Sequence, residues 1–222
     1  MDARRMMVVC AVMAAGMLAG CRDSSSADPS IPVTTGFPLF GPGPHWIDEV
    51  TSGTVTFDAV AVVGVDLTMD GVADLTVDVR GPTTVFRSDA QRADPADERH
   101  RNHLDLEIVS MVLEAEGIRF SAGDGVGNLA SDGPLFSIGT SDEVAASSQL
   151  ANDDFAIYFE GEISGRLLHN KDALRMVATI DRLPPIGNAF ELSGPPVPLF
   201  GDDDLPSGFQ MVSVTYTPRL PK

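Results

Sequence analysis

A regular alternation of apolar and polar residues is the feature that most restricts the fold of this chain. Between residues 54 and 65, every second side chain is apolar and shares one face: Val55, Phe57, Ala59, Ala61, Val63 and Val65. Leu75, Val77 and Val79 repeat the pattern a few residues later. A period of two, carried by β-branched residues, is typical of half-buried β-strands. Asp70-Gly71 lies between the two runs and indicates a hairpin.

Later segments extend the same pattern. Gly81-Pro82 ends or bends the second run, and further strands are predicted over residues 106–113, 155–163, 174–181 and 210–217. Proline pairs separate the later strands, as expected for turns and sheet edges. No segment has the pattern and caps of a long amphipathic helix. Residues 45–222 are therefore predicted to form an all-β domain, an antiparallel β-sandwich of roughly eight to ten strands.

The N-terminus has a different character. Arg4 and Arg5 precede an apolar run from residue 6 to residue 18, which ends in Leu18-Ala19-Gly20-Cys21. The run is shorter than the roughly 20 residues of a membrane-spanning helix. Its charge, length and final motif resemble a bacterial lipoprotein signal peptide. The resemblance implies that residues 1–20 are removed and that Cys21 carries lipid. The alternatives are an uncleaved anchor, or an ordinary signal peptide with a chance cysteine.

The lipoprotein resemblance also predicts a cellular location and a membrane attachment. The lipid on Cys21 would hold the protein at the cell envelope, and Arg22 in the next position favours the outer membrane if the cell is Gram-negative. Residues 21–44 are rich in serine and proline, a composition typical of a flexible tether. Cys10 lies in the leader, so the mature domain would have no disulfide.

Charge excludes one class of partner. The formal net charge is −17, and such a chain is repelled by nucleic acid and by anionic lipid headgroups. No nucleic-acid partner is expected, and membrane binding is assigned to the lipid. Cations are the natural counterions of this surface.

One acidic segment has the spacing of a calcium loop. Calcium loops place oxygen ligands at positions 1, 3, 5 and 9 and glycine at position 6. Here those oxygen-bearing residues are Asp66, Thr68, Asp70 and Asp74, with Gly71 between them. No glutamate stands at position 12, and threonine is a weak third ligand. A plain Asp-Gly hairpin turn with solvated acids is the favoured interpretation, and calcium is the only cofactor that the sequence raises as a hypothesis.

Other polar clusters are weaker candidates. His100 and His103 lie close to Glu98 in a charged segment, but a zinc site needs three or four ligands. The acidic run 202–204 fits a charged turn, and His169 is expected to have a structural role. No nucleophile elbow, metalloprotease helix or phosphate-binding loop is present, so no catalytic residue is assigned.

Five short motifs follow one another along the chain: residues 81–85 (GPTTV), 107–111 (EIVSM), 168–170 (LHN), 174–176 (LRM) and 183–187 (LPPIG). Their order and spacing resemble an uncharacterised bacterial secreted domain family. The resemblance implies a secreted β-rich module and no particular chemistry. The sequence thus predicts a lipid-anchored, non-enzymatic envelope module that binds a protein or matrix partner or is structural. The alternative is a hydrolase of envelope polysaccharide or peptide that uses carboxylates brought together by folding.

Overall fold

The computed structural model describes residues 40–41, 46–92, 102–123, 135–144 and 147–221, all within the compact unit Ile31–Lys222. Cys21, the predicted leader, the predicted tether except for Phe40 and Gly41, and also Glu98 and His100 lie outside the described residues. The described part contains a short 3-10 turn, Trp46–Glu49, and twelve strands: β1 (Gly53–Asp66), β2 (Leu75–Arg87), β3 (His103–Ala115), β4 (Ile118–Gly123), β5 (Ile138–Val144), β6 (Ser147–Ile157), β7 (Phe159–Ile163), β8 (Arg166–Asn170), β9 (Leu174–Ile180), β10 (Phe190–Leu192), β11 (Val197–Gly201) and β12 (Pro206–Arg219).

The alternating run between residues 54 and 65 forms β1, and its apolar face is buried. It pairs antiparallel with β2 along its length, from Gly53 opposite Arg87 to Val65 opposite Leu75. Strand β2 continues through Gly81-Pro82 without a break. A side chain at position 81 would collide with the carbonyl oxygen of Val112 on β3, so glycine lets the two backbones approach closely.

All twelve strands belong to one hydrogen-bonded antiparallel sheet that closes on itself. One closure follows the order β1-β2-β3-β4-β7-β8-β11-β12 and returns to β1. A second closure shares β12, β1, β2 and β3 and is completed by β5, β6, β9 and β10. The all-β antiparallel class is confirmed, but the architecture is one doubly closed sheet and not a simple sandwich of two sheets.

The double closure arises because two long strands change partners along their length. Strand β3 pairs with β5 through its first five residues and with β4 through its last six. Strand β12 likewise pairs with β11 near its beginning and with β10 near its end. Each closed ring contains eight strands, a number that leaves an interior just wide enough for side chains or for one small ligand.

Two details of the predicted strands were wrong. The segment predicted as one strand over residues 155–163 is two strands, because pairing changes at Tyr158: β6 pairs with β9 up to Ile157, and β7 pairs with β4 from Phe159. The turn after β1 is an eight-residue loop, residues 67–74, and not a two-residue hairpin turn.

The 3-10 turn closes against the core of the sheet. Trp46 is buried, and its indole Nε1 donates a hydrogen bond to the carbonyl oxygen of Gln149 on β6, at 3.2 Å. Ile47 and Val50 are buried beside it in the same apolar cluster. In the described part of the chain, no helix is long and apolar enough to cross a membrane.

Candidate functional site

The second ring encloses a cavity that we call the Asp153 cavity. Its volume is about 50 Å³, and its wall is mainly apolar, with contributions from Val55 and Phe57 of β1, Val85 of β2, Ile108 of β3, Phe155 of β6 and Phe190 of β10. Strand alternation explains the wall, because every second residue of each strand points to the interior. The cavity is small, since typical ligand pockets measure about 300–1,000 Å³.

A neighbouring cavity, the Phe120 cavity, lies where the two rings meet. Its volume is about 40 Å³, and Phe120 of β4 and Phe159 of β7 line it with residues of β1, β3 and β12 and with residues of β6 and β9 from the second ring. The two rings meet at four residues that line both cavities: Met111, Ile157, Met176 and Tyr216. Two of the four are methionines, whose unbranched side chains adapt to irregular spaces. These four side chains form the waist between the two apolar cavities.

Tyr216 and Thr83 form a satisfied polar pair in the cavity wall. The Tyr216 hydroxyl donates to the Oγ1 atom of Thr83 at 2.8 Å. Burial raises the pKa of Tyr216, so its hydroxyl stays protonated and remains a donor. This pair spans β12 and β2, and it orients Tyr216 at the waist between the cavities.

Asp153 is the unusual group of the site. Its side chain is 1% exposed, lines the cavity, and shares a strand face with Phe155 and Ile157. Among the described residues, neither of its carboxylate oxygens has a hydrogen-bond partner, and the hydroxyl of Ser141, opposite it on β5, has none either. Burial raises the pKa of Asp153 to about 7, with the charge of Asp142 adding to the rise and the nearby Ser141 hydroxyl opposing it.

Arg87 is the other charged residue in the wall. It is 7% exposed, and its Nε atom donates to the carbonyl oxygen of Thr51 at 3.0 Å. Its guanidinium lies over the ring of Phe40, 5.1 Å from the centroid. Burial lowers the pKa of Arg87, but an arginine stays charged in proteins. Within the described residues, no carboxylate forms an ion pair with it.

The predicted calcium-loop residues lie together in the loop after β1. Asp66 is fully buried, and its carboxylate accepts hydrogen bonds from the backbone amides of Thr68, Met69 and Gly71 at 2.6–2.8 Å. The side-chain amide of Gln210 on β12 donates to it as well, at 2.7 Å. Burial by itself would raise the pKa of Asp66, but these hydrogen bonds outweigh it and hold the pKa well below its usual range.

The remaining carboxylates of the loop also accept hydrogen bonds. Asp74 accepts from the amide of Leu67 at 2.8 Å, and Asp70 accepts from the amide of Val72 at 2.9 Å. Throughout the described ranges, no group of three or more histidine, cysteine or acidic side chains is arranged to hold a metal ion. The arrangement is that of a loop ordered by its own carboxylates, and calcium binding stays a prediction.

His169 holds a different loop in place. It is buried on β8, and its Nε2 atom lies 3.1 Å from Oδ1 of Asp204, while the Nζ atom of Lys171 lies 2.8 Å from Oδ2. Asp204 has a φ of 64° and belongs to the turn between β11 and β12. The acidic run 202–204 is thus a charged turn tied to β8. His103 begins β3 and pairs through its backbone with Gln91.

A larger surface depression contains acids but is open. It measures about 470 Å³ and lies over β6, β9 and β10, where Asp154 and Glu191 contribute to its lining. Asp154 is held by Arg175, whose Nε atom lies 2.9 and 3.0 Å from the two carboxylate oxygens. The Asp154 carboxylate is therefore engaged in an ion pair on an open surface. The hydrolase alternative stays a prediction.

The fold and its interior place the chain in the class of barrel-like all-β domains with an enclosed apolar space. No protein-family model and no curated protein matches the chain. Its fold is similar to that of DynF from the dynemicin biosynthesis pathway of Micromonospora chersina. The TM-score is 0.63 and the sequence identity is 17%, over 88% of this chain and 92% of that one. At this identity the similarity concerns the fold alone.

Proposed function

We propose that this protein is a non-enzymatic binding module that takes up a slender apolar molecule inside its closed sheet. The observation that carries the proposal is the apolar interior, in which two cavities share Met111 and Met176 in their walls. Enclosed sheets of this size hold one small ligand in other proteins. The ligand would widen the narrow waist by turning the two methionine side chains into new rotamers.

The cellular part of the proposal rests on the N-terminal sequence. The lipoprotein motif that ends at Cys21 supports attachment to the cell envelope, with the residues up to 44 as a tether. Stable anchoring takes more than one acyl chain, which the lipid of a bacterial lipoprotein would provide. The module would then present its interior to apolar molecules at the membrane surface.

Fluorescence of an apolar probe tests the binding function. We expect N-phenyl-1-naphthylamine, which is uncharged and fluoresces in apolar surroundings, to bind the purified protein and to be displaced by decanol. A matched variant, Val85→Phe, fills the wall of the Asp153 cavity and should weaken binding. Replacing the exposed Val62 by phenylalanine should have no effect on binding. Probe fluorescence that stays at the level of free probe would contradict the proposal.

Membrane fractionation tests the anchor. We expect the protein expressed in a bacterial host to sediment with membranes, and the Cys21→Ser variant to appear in the soluble fraction. Mass spectrometry of the N-terminal peptide should find a lipidated cysteine. An equal distribution of both proteins would contradict the proposed anchor but leave the binding function untouched.

A further inference from the structure

The Asp153 carboxyl is a polar point in a wall that is otherwise almost entirely apolar. It is 1% exposed and lies on the same face of β6 as Phe155 and Ile157, which also line the cavity. Neither carboxylate oxygen has a hydrogen-bond partner among the described residues. Burying a carboxyl group without partners costs several kcal/mol in general, so a group of this kind needs a function or an occupant that donates to it.

Arg87 does not supply that donor. No ion pair joins Arg87 to Asp153, although both residues line the cavity. The Nε atom of Arg87 donates to the Thr51 carbonyl, and the ring of Phe40 lies against the guanidinium. Among the described residues that line the cavity, the buried polar atoms without a hydrogen-bond partner are the two carboxylate oxygens of Asp153.

The surroundings of Asp153 favour a positive charge. The carboxylate of Asp142 on the neighbouring strand acts on Asp153 through its negative charge. The Ser141 hydroxyl faces Asp153 across the ladder and can both accept and donate a hydrogen bond. The chain as a whole has a formal net charge of −17, which concentrates cations near its surface. Of these groups, Asp153 lines the cavity, where the other charged residue among those described is Arg87.

We infer that Asp153 binds the protonated amine of an apolar ligand, with Ser141 as a second hydrogen-bonding group. This inference rests on the proposed binding function and names the chemical class of its ligand. The alkyl or aryl part of the ligand lies along the apolar walls, and the ammonium group donates to the Asp153 carboxylate. Charge-assisted hydrogen bonds are the strongest available at such a point.

Competition with matched ligands tests the inference. Decylamine, decanol and decanoate have the same alkyl chain and differ in the head group, and each is used to displace N-phenyl-1-naphthylamine. At about pH 8 we expect decylamine to displace the probe at a concentration at least about tenfold lower than decanol. The Asp153→Asn variant should lose this preference. Asp154→Asn, on the outer face of the same strand, should keep it.

The dependence on pH gives a second readout. Because burial raises the pKa of Asp153 to about 7, the carboxyl takes up a proton below neutrality and attracts the ammonium group less. We expect the preference for decylamine to shrink between about pH 8 and about pH 5 in the wild type and to be flat in Asp153→Asn. The other charged groups to consider are Asp142 and Arg87, and both are unchanged in the variant.

Three outcomes distinguish the possible failures. If no ligand displaces the probe, or the probe does not bind, the proposed binding function is wrong. If decanol and decylamine compete equally while the probe binds, the function stands and the role of Asp153 is overturned. If decanoate competes best and Arg87→Gln removes that advantage, the ligand is an anion held by Arg87 and the inference is overturned as well.

Discussion

The two cavities differ in one buried acid. The Phe120 cavity is lined by apolar side chains together with Tyr216, whose hydroxyl is satisfied by Thr83. The Asp153 cavity has a similar volume and shares four of the same residues, but it adds Asp153 and Arg87 to its wall. The Phe120 cavity therefore resembles an ordinary apolar core. The Asp153 cavity retains a buried carboxyl group that lowers stability, which is typical of functional sites.

The largest expected effect concerns the Phe120 cavity. Phe120 packs edge-on against Phe159 at 5.5 Å between ring centroids. We expect Phe120→Ala to lower the free energy of unfolding by about 3–5 kcal/mol, through lost burial and a new void. The loss should be the same at about pH 5 and about pH 8, because no titratable group changes. Urea denaturation at both pH values measures this loss. A loss that varies with pH would contradict the expected difference between the two cavities.

In contrast, Asp153→Asn is expected to raise the free energy of unfolding, by an amount that depends on pH. The pKa of Asp153 in the folded protein, about 7, lies above the ordinary value of 3.8, so the folded state binds its proton more tightly than the unfolded state. The contribution of Asp153 to wild-type stability therefore falls as pH rises from about 4 to about 7 and is level above that. Relative to wild type, the variant should gain about 4 kcal/mol across this range as an upper bound.

Asp154→Asn is the matched control for that prediction. Asp154 lies on the outer face of β6 and is paired with Arg175, so its loss should lower stability slightly at neutral pH. Urea denaturation of the two variants between about pH 4 and about pH 8 distinguishes the effect of the buried acid on stability from that of the exposed acid. A stability difference between Asp153→Asn and wild type that does not change with pH contradicts a raised pKa at Asp153.

The alternation in the sequence predicts most of the strands but not how the sheet closes. Strands β1, β2, β9 and β12 follow directly from the apolar–polar period. The closure depends on β3 changing its partner from β5 to β4. Predicting this change requires knowledge of strand pairing, which the local pattern does not contain. Tyr158 ends one pairing and begins another for the same reason, although its neighbours continue the alternation.

Asp153 was missed because charged residues are rarely buried. In the sequence, Asn152-Asp153-Asp154 looks like a polar turn. The signal that could have found it is the period of two, since Ala151, Phe155 and Ile157 are buried on the face that includes Asp153. The loop after β1 shows the reverse case. Its acids were recognised from their spacing, but only the fold reveals that backbone amides already donate to Asp66.

A smaller effect is expected at the waist between the cavities. Thr83→Val keeps the shape of the side chain and removes the acceptor of the Tyr216 hydroxyl. We expect a loss of about 1–3 kcal/mol in the free energy of unfolding. Thr83→Ser retains the acceptor and should lose less. In the double variant Thr83→Val with Tyr216→Phe, both polar atoms are gone and part of the loss should be recovered, as a double-mutant cycle measures. Strict additivity would show that the hydrogen bond contributes little.

The smallest expected effect concerns calcium, at the end of β1 beyond the Phe120 cavity. If the loop binds calcium with a dissociation constant near 1 mM, about 10 mM calcium should stabilise the protein by about 1.4 kcal/mol. Asp70→Asn should abolish this gain in stability, because it removes one of the predicted calcium ligands. The variant disturbs the loop little, since among the described residues the Asp70 carboxylate accepts a backbone hydrogen bond from the amide of Val72 alone. Asp66→Asn is less informative, since it also removes the acceptor of several loop amides. A melting temperature that magnesium raises as much as calcium, or that neither ion changes, leaves Asp66 as an internal support of the loop.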